Sequence, residues 1–104
     1  MDVRSSHSEG TARIELHGEL DIGTAPKLDE AVGQALDDGC REVVLDLGGT
    51  TFMDSTGLNA LIRAARAVDA RRGRMAVLSP PGSEARVVIE ISRTGSVLGL
   101  RDSG

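Results

Sequence analysis

Two neighbouring hydroxyls, Ser55 and Thr56, lie in the run Phe52-Met53-Asp54-Ser55-Thr56-Gly57-Leu58, and their surroundings decide what chemistry they can do. Upstream, Val43-Val44-Leu45-Asp46-Leu47 has the pattern of a buried strand, and from Leu58 onward apolar residues recur at helical spacing. Strand, short polar loop and helix, in that order, place the hydroxyls at a helix N-terminus. Backbone N–H groups there lack intrahelical partners, and the helix dipole presents its positive end. A phosphate is well tolerated at such an end, so a serine there could switch between a neutral and a dianionic state. Three readings are open: a switch, a ligand site, or a helix cap contributing ~1 kcal/mol. The cap accounts for one hydroxyl. It leaves Phe52 and Met53 unexplained, two bulky apolar residues expected in an exposed loop, where they have the character of a docking surface.

Other constellations are weaker. Asp46-Leu47-Gly48-Gly49-Thr50 resembles the phosphate-binding motif of actin-like sugar kinases, but those enzymes close two large domains on ATP, and 104 residues cannot supply them. A Gly-Gly turn leaving a strand is the expected structure. Asp21, Asp46 and Asp54 could hold Mg²⁺ and accept a phosphoryl group, as in response-regulator receivers. That scheme also needs a lysine after the last strand, and the one lysine is Lys27, in the first helix. Serine hydrolysis would require a histidine base beside Ser55. The two histidines, His7 and His17, both fall in the N-terminal strand region, and Ser55 is not in a G-x-S-x-G elbow. Arg63, Arg66, Arg71, Arg72 and Arg74, opposed by Asp69, read as a solvated basic face or as a surface for an acidic partner.

Composition narrows the class. One domain with one modest core is expected at this length. Phe52 is the only aromatic residue, so the core is built from aliphatic side chains, and the composition argues against base stacking on single-stranded nucleic acid. A net charge of −4 argues against binding a phosphate backbone. Cys40 is the single cysteine, which excludes an internal disulfide; it is expected at a strand entrance, without a chemical role. No apolar run approaches a membrane span and no signal region opens the chain, so a cytoplasmic, reduced protein is expected.

The elements that must position the hydroxyls follow from periodicity. A weak strand over Asp2–Ser6 and a turn over residues 7–10 precede an alternating strand over residues 11–17. Gly18-Glu19-Leu20-Asp21 is expected as a loop, and Thr24 as the cap of a helix with Pro26 in its first turn. Leu28, Ala31, Val32, Ala35 and Leu36 form that helix's apolar stripe, ended by Asp37-Asp38-Gly39. The strand over residues 42–47 is apolar on consecutive positions, as in a strand covered on both faces. The next helix spans about 56–72, with Leu58, Leu61, Ile62, Ala65 and Val68 inward and Gly73 as its C-terminal cap. A strand over 75–78, a Ser83-capped helix over 84–92, a last strand over 96–100 and a frayed tail over 101–104 complete a small α/β layer.

Two motifs at matching spacing carry a family resemblance. The run Phe52–Leu58 resembles the signature of anti-sigma factor antagonists, single-domain members of the STAS family, and Gly18-Glu19-Leu20-Asp21 with Ala25-Pro26 resembles a second family segment. Val44-Leu45-Asp46-Leu47 and the Arg72-Gly73 link fit as well, so the likeness runs from about Ile14 to Leu78. Two positions depart: Ser96 follows Thr94-Gly95 where leucine is usual, and Asn59 stands where many relatives have glycine. The resemblance implies a single STAS-like domain, a small mixed sheet with helices mainly on one face, without enzymatic activity or cofactor. It implies partner switching in bacterial transcription. The unphosphorylated form binds an anti-sigma factor that is also a serine kinase, freeing the sigma factor. Phosphorylation of Ser55, with Thr56 as second candidate, abolishes binding, and a PP2C-type phosphatase restores it. Asp21, Phe52, Met53, Asp54, Thr56 and Gly57 are the implied partner surface. The same fold also serves as a subunit of larger signalling assemblies or as the soluble component of lipid-transport systems.

Overall fold

In the computed structural model, which describes residues 1–102, the chain forms nine elements in order. They are β1 (Asp2–Ser8), β2 (Thr11–Leu20), α1 (Ala25–Asp37), β3 (Glu42–Met53), α2 (Ser55–Ala70), β4 (Arg74–Leu78), α3 (Glu84–Ser92), α4 (Gly95–Leu98) and β5 (Leu100–Arg101). The strands lie in one sheet in sequence order; β1 is antiparallel to β2, and the remaining neighbours are parallel. A hairpin turn at Glu9-Gly10, both with positive φ, joins β1 to β2; it is the second half of the expected turn, whose first half, His7-Ser8, extends β1. The parallel steps need helical crossovers, which α1, α2 and the α3–α4 pair supply. This is the mixed α/β layer expected from the alternation of periods.

Burial alternates along the central strands and is one-sided. Ala12, Ile14 and Leu16 of β2, Val43, Leu45 and Leu47 of β3, and Val77 of β4 point into the core beneath the helices. The opposite face carries Arg13, Glu15, Val44 and Asp46, with Arg13 paired to Asp46 and Arg74 to Glu42. The expected cover on both faces of β3 is therefore absent. Val44 is the apolar residue that made the run look two-sided, and it lies half-buried between Arg13 and Ala76 on neighbouring strands.

Strand β3 runs six residues past Leu47, so Gly48-Gly49-Thr50 is strand, not a turn. It is bulged. Between the pairs Thr11↔Glu42 and Leu20↔Met53, β2 has 10 residues and β3 has 12, and each of two register shifts adds one residue to β3. Glycine suits such positions, and the His17 ring lies directly over Gly49, where a β-carbon would meet Nδ1 at 2.1 Å. Gly18–Leu20, expected as loop, continue β2 alongside this extension.

In α1 the expected stripe holds, with Ala31 half-buried. In α2, Leu58, Leu61 and Val68 are buried, whereas Ile62 and Ala65 are only partly so; Ala60 and Ala64 take the inward positions. Gly73 is not the left-handed cap: Arg72 adopts φ 58°, and Gly73 instead admits the Arg41 carbonyl, which a β-carbon would meet at 2.4 Å. Ser83 does cap α3, accepting from the Arg86 N–H. The segment expected as a last strand over 96–100 is mostly the short helix α4, and only Leu100–Arg101 pair with β4. Arg101 is thus strand rather than frayed tail; residues 103–104 of that tail lie outside the described residues.

One-sided burial is testable by paired substitutions. Leu45→Ala should cost about 2–5 kcal/mol, and Val44→Ala on the open face well under half of that, read from urea midpoints at unchanged slope.

Candidate functional site

Strands β2 and β3 both end beside the first turn of α2. The Leu20 carbonyl lies 2.3 Å from where a β-carbon on Gly57 would be, and the Met53 side chain 2.8 Å from it. Gly57 is therefore buried and shaped for contact within the fold, not for a partner. Met53 is 2% exposed and belongs to the core, so it offers no surface either. The reason is strand alternation: consecutive residues face opposite sides of the sheet, and Phe52, 38% exposed, is on the open one.

The helix cap is Asp54, not one of the hydroxyls. Its extended backbone and its carboxylate define the cap: Oδ1 accepts the Gly57 N–H at 2.9 Å and the Thr56 hydroxyl at 2.7 Å. These contacts, the Thr56 hydroxyl first and the Gly57 N–H second, hold the Asp54 carboxyl below its ordinary value. Thr56 is half-buried and its hydroxyl is engaged. Ser55, the first residue of α2, is exposed and takes no part in the cap.

Asp21 opens the loop that leaves β2, and the contact between Leu20 and Gly57 sets that loop beside α2. Its Oδ1 accepts the N–H groups of Gly23 and Thr24 at 3.0 and 3.2 Å. Thr24 makes no side-chain cap for α1. Its hydroxyl donates to the Glu19 carbonyl at 2.7 Å and accepts the Asp21 N–H at 2.9 Å, cross-bracing the turn instead. At the tip of this turn stands Ile22, 76% exposed, which the sequence reading passed over. The available signal was an isoleucine inside a polar turn, where no periodicity requires one.

The remaining constellations disperse. Asp46 is bound to Arg13 and accepts the Gly48 N–H at 2.8 Å, so its carboxylate is engaged on the open face of the sheet. Among the described residues, no group of three acidic, imidazole or thiol side chains is placed to share a metal ion. His7 approaches Asp38, and His17 approaches Glu15. Arg63 pairs with Asp29 and Arg71 with Asp37, both at 3.1 Å, and Arg74 lies in β4; the arginines do not form one outward face. Cys40 is buried against Ala12 and Ala35. None of the helices among the described residues is long and apolar enough to cross a membrane.

The fold is a small α/β layer in which the exposed Ser55 stands outside its own helix cap, at the carboxyl end of the sheet. The model of the STAS domain matches residues 3–100, and the chain belongs to that family. It is 26% identical over 102 residues to the anti-sigma-B factor antagonist of Staphylococcus aureus, covering 98% of this chain and 88% of that protein. It is 31% identical over 87 residues to the anti-sigma F factor antagonist of Paenibacillus polymyxa, covering 78% of this chain and 72% of that one. Among solved structures, the anti-sigma factor antagonist SpoIIAA in its unphosphorylated form superposes with a TM-score of 0.79 at 24% identity, over 99% of this chain and 89% of that chain. SpoIIAA has also been solved phosphorylated, with a TM-score of 0.76 at 23% identity over 99% and 92% of the two chains.

Two outcomes test the cap. Gly57→Ala should destabilise by more than about 1 kcal/mol, because the obstructing atom is backbone. The depressed Asp54 carboxyl contributes stability that is present above its unfolded value and lost as pH falls through the folded one. Asp54→Ala should therefore be less stable than wild type at neutral pH, and the difference should shrink below about pH 4. Thermal melts across pH read both.

Proposed function

We propose that the chain is an anti-sigma factor antagonist that works by partner switching. Unphosphorylated, it binds an anti-sigma factor that is also a serine kinase and so frees the sigma factor; phosphorylated on Ser55, it lets go, and a PP2C-type phosphatase resets it. The observation that carries this reading is the separation of duties at the start of α2. Asp54 caps the helix and Thr56 braces Asp54, which leaves the exposed Ser55 available for modification without loss of a fold contact. The names of the relatives support the same reading. Thr56 is the poorer acceptor because its hydroxyl is engaged and half-buried.

Ile22 and Phe52 supply the apolar part of the contact surface, and Asp21, Asp54 and Thr56 its polar part. A phosphate on Ser55 adds about −1.5 to −2 charges beside the Asp54 carboxylate, at a helix end that tolerates them. The fold survives, and a partner face matched to the neutral site is repelled. In this scheme the chain itself performs no catalysis and acts in the cytoplasm, where the kinase supplies the ATP chemistry.

Binding to the cognate anti-sigma factor, measured by calorimetry, tests the proposal. Ser55→Ala should bind as wild type, and Ser55→Asp should bind at least tenfold more weakly, about 1.4 kcal/mol. Equal binding by the two variants would overturn the charge mechanism. Kinase and ATP should label wild type and Thr56→Val alike at Ser55, and ATP with Mg²⁺ alone should label neither. Ile22→Ala should weaken binding while changing stability by less than about 0.5 kcal/mol.

A further inference from the structure

Strand β1 is the long free edge of the sheet: among the described residues it pairs with β2 on one side and with nothing on the other, and six of its seven residues are exposed. The opposite edge is β5, only two residues long. Free edges are normally blunted by like charges, proline or a covering element. Here the two charges on the strand are opposite and two residues apart, Asp2 and Arg4, on the open face of the sheet. Their mutual contact, Arg4 Nε to Asp2 Oδ2 at 3.1 Å, is solvent-exposed at both ends and of the kind that contributes little. On the helix side, a groove of about 600 Å³ separates β1 from α1, lined by Val3, Ser5, His7, Lys27, Glu30 and Gln34. Neither side is closed over.

We propose that β1 is a self-association edge: two copies pair antiparallel about a two-fold axis at Val3, setting Asp2 of each copy opposite Arg4 of the other. The charges select this occupant. In an antiparallel pair centred on residue 3, residue 2 faces residue 4 and residue 4 faces residue 2, so both cross-strand contacts are attractive at once. The two internal pairs and the two crossed pairs merge into a four-charge cluster on the open face. On the other face Val3 meets its own copy, and the two grooves join along the seam between the α1 helices. The contact is isologous: it joins residues 2–4 of the two β1 strands and closes at two copies about its own axis, leaving Ser6–Ser8 unpaired. The sheet becomes continuous over ten strands. The carboxyl ends of β2 and β3, with Ser55, are not part of the seam.

Sedimentation velocity over a broad protein concentration range tests this, with circular dichroism to establish that each variant is folded. Wild type should show a monomer–dimer equilibrium. Asp2→Arg and Arg4→Asp should each weaken dimerisation at least about tenfold by placing like charges opposite one another, and the exchanged double variant D2R/R4D should restore it. A wild type that stays monomeric, single variants that dimerise like wild type, or a double variant that fails to recover would each overturn the proposal. A second measurement reads the register directly. Residues facing across an antiparallel pair have Cα atoms about 4.5–5.5 Å apart, within disulfide range. Val3→Cys treated with diamide should give a crosslinked dimer, and Ser8→Cys, far from the axis, should not. Equal yields from the two would also overturn it.

Discussion

The carboxyl end of the sheet depends on the 2.3 Å between the Leu20 carbonyl and the place where a β-carbon on residue 57 would sit. Any side chain there would push the first turn of α2 off the end of β2. With glycine, the helix start settles between Leu20 and Met53, and three consequences follow from that seat. Asp54 is held where its carboxylate reaches the Gly57 N–H, so the helix is capped from within the loop. Ser55 is turned outward at the first helical position. The Asp21–Thr24 turn is brought alongside, although thirty residues of chain separate it from the helix. The site is thus an outcome of backbone contact, and the chemistry of its side chains is arranged around that contact.

Much of the fold was legible because the core strands and helices declare their periods. The errors fall where a local signal competes with a longer-range one. Gly48-Gly49 reads as a turn in isolation, yet pairing with β2 and two bulges keep both glycines in the strand. That extension separates Phe52 from Met53, since strand alternation leaves Phe52 outward as expected and sends Met53 into the core. Asp54, Ser55 and Thr56 are all good cap residues, and propensity cannot choose among neighbours; the backbone angles do. The C-terminal segment combined glycines, valine and leucine in a run too short for either period to win. Serine at the helix start was readable from element order. Ile22 was readable only as an apolar residue in a polar turn, because exposure in a turn has no periodic signature.

Charge is distributed so that the scaffold uses most of it. Arg63 on α2 and Arg71 at its C-terminal cap are eight residues apart, as are their partners Asp29 and Asp37 on α1, so two exposed ion pairs run between the parallel helices. On the other side of the sheet, Arg13 with Asp46 and Arg74 with Glu42 make the uncovered face a neutralised polar surface that tolerates water. Three arginines of the basic run, Arg63, Arg71 and Arg74, are thus met by carboxylates of the same chain. What stays apolar and exposed near Ser55 is small, consistent with a contact that is made and broken.

Phe52 has a further consequence for how the molecule can be observed. It is the only aromatic side chain in the chain, and it lies on the open face three residues before the serine. No tryptophan or tyrosine in the core contributes a background. The near-ultraviolet absorption and dichroism of the isolated protein therefore originate at a single ring beside the site. Packing of the interior is optically silent, and the molecule carries a native probe whose signal reports only on what happens at the carboxyl end of its sheet.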